Sequence, residues 1–308
     1  MHSSQDNLNG VYAIIKQSKK RINKIVYYMK HKDFIIKSEV NLMSEVIFTV
    51  DSDGCVIDSM TYKHELFMGP LAANHFKVKD RISFLKNWNS INLFSRARGV
   101  NRFKGLVKTL QSVAYDEMNV ENLYRWTEDS DVLSPETLTR EIEKYGTEDL
   151  QTALDWTLAV NQGFAEDNEH DDVFDGAAEG LLKMTELGNV YVVSTANKEA
   201  ITDEWSRYEL LEYVDGIFGQ DSGRKEDTIA HFIKEGTDPQ KIMMIGDSPG
   251  DLAAAEINKS WFFPILVGQE KESWDDFVNH VADKFATGEY TQADQDAYKK
   301  KFWDNLDR

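Results

Sequence analysis

Three short apolar runs punctuate the chain: "EVIFTV" ending at Val50, "NVYVVS" ending at Ser194 and "KIMMIG" ending at Gly246. Turn residues bound each run, and stretches of helical periodicity separate them, which is the pattern of buried parallel strands in an α/β protein. The interval between the first two runs holds only helical patterns: "SFLKNWNSINLF", "FKGLVKTLQSVAY" and "SPETLTREIEKY", the last with Ser134 and Pro135 as a helix start. A helical block over 59–172 is too long for one crossover and predicts an inserted domain. After it, "DVFDGAAEGLLKMTELGNVYVVS" reads as helix, a stop at Gly188, then strand, so the sheet resumes. The end, "TQADQDAYKKKFWDNLDR", predicts a terminal helix that packs Phe302 and Trp303 against the body.

The predicted architecture is thus α/β, with a Rossmann-like parallel-sheet core built from 45–58 and 173–308 and an inserted α-helical domain over 59–172. Residues 1–44 stand apart as an N-terminal extension of unknown role. They include the locally basic "IIKQSKKRINKIVYYMKHKDFIIK", which carries no recognisable chemistry.

Charge narrows the partners. Acidic residues outnumber basic ones 53 to 35, a formal charge of −18, which argues against nucleic acid and against an acidic membrane surface. A small anion remains a possible ligand, because a local pocket can oppose the global field. No apolar run approaches the ~20 residues that span a bilayer, and "MHSSQDNLNG" lacks the regions of a secretory signal, so a cytoplasmic protein is expected. Cys55 is the only cysteine, which excludes an internal disulfide and a cysteine metal cage, and it is expected to fill core space.

In a parallel sheet, ligands gather beyond the carboxyl ends of the strands. The polar residues there are Asp51 and Asp53 after the first run, Ser194 after "VYVV", and Asp247 and Asp251 after "KIMMIG"; Lys225 lies in "DSGRKEDT". Several carboxylates, a lysine and a hydroxyl suit phosphoryl transfer only if a divalent cation offsets the carboxylates. A carboxylate ~4 Å from a phosphate charge is repelled by about 4 kcal/mol at an effective dielectric of ~20. Mg²⁺ held by oxygen ligands removes that barrier.

"DSDGCV", the serine after "VYVV", the lysine of "GRKED" and "GDSPGD" resemble, in order, the four motifs of the haloacid dehalogenase superfamily, over roughly residues 46–267. The resemblance implies that Asp51 is the nucleophile that forms an aspartyl-phosphate. Asp53 would protonate the leaving oxygen and later deprotonate the incoming water, its backbone carbonyl binding the metal. Gly54 lets the chain turn. Ser194, with Thr195 as second choice, would hydrogen-bond the phosphoryl group, and Lys225 would neutralise nucleophile and phosphate. Asp247 would bind Mg²⁺, and Asp251 directly or through water, so the implied metal set is Asp51, Asp53, Asp247 and Asp251. An aspartate at position 53 favours phosphate esters over halides and phosphonates. The expected substrate is a small phosphorylated metabolite, and the expected state a monomer or homodimer.

The string "GDSPG" also fits the nucleophile elbow of serine hydrolases, but there the residue after the serine donates its N–H to the oxyanion, and Pro249 has none. No histidine pairing supports a zinc enzyme. A catalytically silent binding protein of the same fold would be expected to lack Asp51, Asp53 or Lys225.

The insert lies between the first two motifs, as in the family's helical-cap members, where the cap excludes water and selects substrate. Within it "RARGVNRFKG" concentrates Arg96, Arg98, Arg102 and Lys104, for which a solvated helix end is the plain reading. "GVNR" resembles the "GVSR" loop of the beta-phosphoglucomutase branch, which implies substrate contacts from Gly99 and Arg102. A sugar phosphomutase is therefore the alternative activity, although Lys63 stands where that branch has a histidine, with His64 next to it.

Overall fold

The computed structural model describes residues 46–167 and 171–307, so the extension over 1–44 lies outside the described residues. Five parallel strands form one sheet in the order β3-β2-β1-β4-β5: β1 (Val46–Val50), β2 (Gly188–Val193), β3 (Gly216–Phe218), β4 (Ile242–Gly246) and β5 (Trp261–Pro264). β1 is central because both its faces are apolar. Val46, Phe48 and Val50 enter one core cluster with α7 (Ala177–Leu187) and α8 (Lys198–Arg207). Ile47 enters the opposite cluster with α9 (Lys225–Lys234) and α10 (Pro249–Ile257). Full burial of a side chain such as Phe48 contributes about 2–3 kcal/mol. Gly188 closes α7 and opens β2; a Cβ there would lie 2.1 Å from the Val46 carbonyl oxygen, so the strand pairing itself requires glycine.

The helical insert follows β1. A π-helical turn (Lys63–Met68) leads into α1 (Gly69–His75), and then come α2 (Arg81–Asn92), α3 (Arg102–Ser112), α4 (Glu121–Asp129), α5 (Pro135–Tyr145) and α6 (Glu148–Glu166). No strand occurs in the insert among the described residues. Its core is separate from the two that flank the sheet and centres on Trp88, Phe103, Trp126 and Trp156. Edge-on contacts join these rings, including Phe103 to Trp126 at 5.0 Å and Phe103 to Trp156 at 5.8 Å. Ser134 caps α5 through a reciprocal capping box with Thr137, as its sequence signature predicts.

Beyond β5 the chain forms α11 (Glu270–Asp276), α12 (Ala282–Ala286) and the terminal helix α13 (Gln292–Leu306). Phe302 is buried against Phe262, as expected, whereas Trp303 stays half-buried and receives the Arg96 guanidinium over its ring at 4.4 Å. No helix among the described residues is long and apolar enough to cross a membrane.

Candidate active site

β1 is flanked by β2 on one side and by β4 on the other, which makes its carboxyl end the switch point where crossovers diverge. Asp51 is the first residue past β1 and Asp247 the first past β4. The register sets Val50 opposite Ile245, and the Asp51 N–H donates to the Ile245 carbonyl at 3.0 Å, so the two aspartates leave the sheet side by side. Asp251 comes from the first turn of α10. Its Oδ2 accepts from the Ser248 N–H at 3.0 Å and the Ser248 hydroxyl at 2.7 Å, an N-terminal box that leaves Oδ1 free to face Lys225.

Lys225, the first residue of α9, ties the set together. Its ammonium lies 2.7 Å from Asp51 Oδ2 and 2.6 Å from Asp251 Oδ1. Burial opposes the lysine charge, yet the two carboxylates outweigh it and raise its pKa. Oxygen atoms of Asp51, Asp247 and Asp251 lie within 4.8 Å of one another, all three residues buried. Burial, with Asp251 and Asp247 adding to it against Lys225, raises the Asp51 pKa well above the carboxylate range. Burial also pushes Asp247 up to about 6, against the pull of Arg98. Asp247 Oδ1 is buried with no hydrogen-bond partner. Crowded hard oxygen donors with one unpaired atom fit a divalent cation such as Mg²⁺.

Asp53 turns elsewhere. Its Oδ1 accepts from the Ser59 hydroxyl and from Lys63 Nζ, the latter at 2.6 Å. Burial raises this carboxyl, but Lys63 and the hydrogen bonds prevail and hold it below its ordinary value. Gly54 takes φ +79°, and a Cβ there would meet Arg98 Nη2 and Asp247 Oδ2 at 2.6 Å each, so the turn demands glycine twice over. Ser194 extends β2, is 4% exposed, and accepts from the Ala196 N–H at 3.2 Å, while Thr195 is exposed. Cys55 is buried and fills space, as expected.

The insert contributes more than its sequence shows. Arg98, 2% exposed, donates Nε to Asp247 Oδ2 at 2.6 Å and Nη1 to the Leu93 carbonyl at 3.0 Å. The next residue, Gly99 (φ +74°), passes so close to Ser248 that a Cβ would lie 2.6 Å from that side chain. Arg102 is anchored by Thr157 at 3.2 Å and Asn161 at 2.7 Å, and its guanidinium lies over Phe164 at 5.6 Å. Burial, only partly offset by Asp53, lowers Arg102 to about 10. The basic cluster is therefore not simply a solvated helix end: Arg98 is buried on the acidic set, Arg102 is partly buried, and only Arg96 is exposed, pairing with Asp307.

Three further residues escaped sequence reasoning as site members. Lys63 bridges Asp53 and, at 3.8 Å, Glu204. Glu204, on α8, accepts from the Ser52 hydroxyl at 3.4 Å; burial, with Asp53 adding to it against Lys63, pushes it up to about 7. His64 accepts the Trp88 indole N–H on Nδ1 at 3.1 Å, and burial with Arg98 and Arg102 pushes it down to about 3, so it is neutral with its proton on Nε2. Sequence reasoning singled out Lys63 and His64 as the place where the mutase branch has a histidine; nothing local marked Glu204, which meets the site only through the packing of α8.

The haloacid dehalogenase-like hydrolase family model matches residues 47–257, about two thirds of the chain. The chain belongs to that family and is a hydrolase by class. None of the curated proteins compared with it matches its sequence. Similar solved structures include a hydrolase from Pseudomonas syringae, with 15% identity, a TM-score of 0.45, and 78% of this chain and 99% of that one covered. Another is a predicted phosphoglycolate phosphatase from Haemophilus somnus, with 11% identity, a TM-score of 0.46, and coverage of 73% and 86%. The family match, and not these distant structures, identifies the chain.

Proposed function

We propose that the chain is a cytoplasmic, Mg²⁺-dependent phosphohydrolase that acts on a small phosphorylated metabolite through an aspartyl-phosphate on Asp51. The observation that carries this reading is the Lys225 ammonium bridging Asp51 and Asp251 inside a buried three-carboxylate cluster at the switch point. In this reading an Asp51 oxygen attacks phosphorus as the bond to the leaving oxygen breaks, and Asp53 supplies that oxygen with a proton. Asp53, again a carboxylate, then takes a proton from water, which attacks phosphorus and releases phosphate from Asp51. Its pairing with Lys63 favours the ionised form that the second step needs. Ser194, with Thr195 beside it, donates to the phosphoryl oxygens, and Lys225 offsets the charge gathered at Asp51. Mg²⁺, held by the carboxylates of Asp51, Asp247 and Asp251 and the Asp53 carbonyl, would polarise the phosphoryl group and offset the acidic set.

The insert over 59–172 serves as a cap on the core formed by 45–58 and 173–308, excluding water and selecting substrate. Gly99 lets the cap loop approach Ser248, and Arg102 receives an anionic group of the substrate that is not transferred. A monomer or a homodimer is the assembly proposed.

The test is phosphate release from a panel of phosphorylated metabolites and p-nitrophenyl phosphate, with Mg²⁺ or with EDTA, and with Asp51→Asn as control. Release that requires both the metal and Asp51 is the expected result. Release that survives EDTA or Asp51→Asn, or none from any compound, overturns the reading.

A further inference from the structure

The ion pair between Arg98 and Asp247 joins the cap to the core at the centre of the acidic set, with both side chains almost fully buried. Three carboxylates converge there, and the core itself offers them one cation, Lys225, which engages Asp51 and Asp251 but leaves Asp247 to the cap. The neighbouring attachment of the same loop is exposed: Arg96 makes a bidentate pair with Asp307 and lies over the Trp303 ring. The buried attachment of the loop over 95–100 is Arg98, which needs negative charge at Asp247. Asp51, Lys225 and Ser194 are all less than a tenth exposed.

From this arrangement we infer that Arg98 sets the metal affinity of the site: the cation it buries on Asp247 holds the cap loop there, and a divalent cation bound by Asp51, Asp247 and Asp251 competes with it and loosens the loop. The inference rests on the proposed metal site. The competition is electrostatic and not a matter of shared atoms: Arg98 uses Asp247 Oδ2, whereas Oδ1 is buried and unpaired, open to a cation from the other side. Two cations on one buried carboxylate repel each other in a medium that screens poorly. Linkage makes the effect reciprocal: the factor by which bound metal weakens the docking of Arg98 is the factor by which docked Arg98 weakens the metal. Removing the Arg98 charge thereby tightens the hold on the metal.

Calorimetric titration with Mg²⁺ alone tests this on the full chain, read together with hydrogen exchange of the amides over 95–100. Arg98→Met is expected to bind Mg²⁺ about tenfold more tightly than wild type, within the usual range of coupling between sites, and Arg98→Lys, which keeps the charge, is expected to stay near wild type. In the wild-type protein, saturation with Mg²⁺ should speed exchange in the loop. Equal or weaker binding by Arg98→Met overturns the inference and leaves Arg98 as an orienting partner of Asp247. Should Arg98→Met not fold, unchanged or slower exchange on saturation of the wild-type protein overturns it equally. If wild type binds no Mg²⁺, the metal site itself falls, and with it the inference; binding without phosphate release leaves the inference standing while the proposed activity fails.

Discussion

Lys63 Nζ lies 2.6 Å from Asp53 Oδ1, with the two side chains 17% and 24% exposed. This pair places a cation from the π-helical turn of the insert on the second aspartate of the first motif. If Asp53 works as a base when ionised, Lys63 sets the pH at which it becomes available, since a neighbouring cation favours the charged form. Lys63→Met is therefore expected to move the acid limb of the kcat profile, where release of phosphate from Asp51 needs Asp53 ionised, to higher pH and to lower stability by about 1–2 kcal/mol, the cost of a partly buried carboxylate left unpaired. An acid limb that stays in place in the variant would show that Lys63 does not govern Asp53.

Asp51→Asn separates chemistry from folding. Burial first, and then Asp251 and Asp247, raise the Asp51 pKa against the pull of Lys225, so the isosteric amide relieves more than it gives up at Lys225 and leaves the backbone contact to Ile245 intact. Turnover should fall by about 10³-fold or more while the melting temperature holds or rises. A variant that keeps measurable turnover removes Asp51 as nucleophile.

Strands β1, β2 and β4 and the helical insert were legible because apolar bursts and helical periodicity are local signals. β3 and β5 were not: "GIF" is too short to show alternation, and "WFFP" is aromatic and ends in proline, so neither stands out as a burst. Within the site, the residues that follow strands were readable for a physical reason, since strand ends fix where the next side chain emerges. Arg98, Lys63 and Glu204 reach the site from helices and loops of other elements, and their pairing is decided by how those elements pack. Asp53 shows the same limit. Its place after β1 was evident, but its carboxylate faces Lys63 and Ser59, a choice made by the turn that follows.

Arg102 offers a test of substrate choice. Thr157 and Asn161 hold its guanidinium without neutralising it, and burial lowers its pKa, so an anion that reaches it gains a charge-assisted bond. Arg102→Met should raise KM by about 10-fold or more for phosphate esters that carry a second anionic group, with kcat little changed. p-Nitrophenyl phosphate, which lacks one, should be affected far less. An equal loss on both kinds of substrate would place the role of Arg102 in cap folding instead.

Glu204 predicts a pH dependence of stability with a definite sign. Its carboxyl is pushed from the ordinary 4.5 up to about 7 by burial first and by Asp53 second, with Lys63 opposing. Between these two values the folded protein keeps a proton that the unfolded chain has lost, so unfolding becomes easier as pH rises through this window and levels off above about 7. Glu204→Gln abolishes the contribution, because the amide is neutral at every pH. Urea denaturation at pH 5.5 and at pH 8 keeps clear of the isoelectric point near 4.8, where solubility is lowest. Over that interval the variant should gain about 2 kcal/mol relative to wild type, one pKa unit being worth about 1.4 kcal/mol. The direction separates this from a lost ion pair with Lys63, which would make the variant relatively weaker at high pH, where an ionised Glu204 would contribute most. Parallel stability profiles for the two proteins would mean that Glu204 is ionised in the folded state throughout, and that Lys63 serves it as much as it serves Asp53.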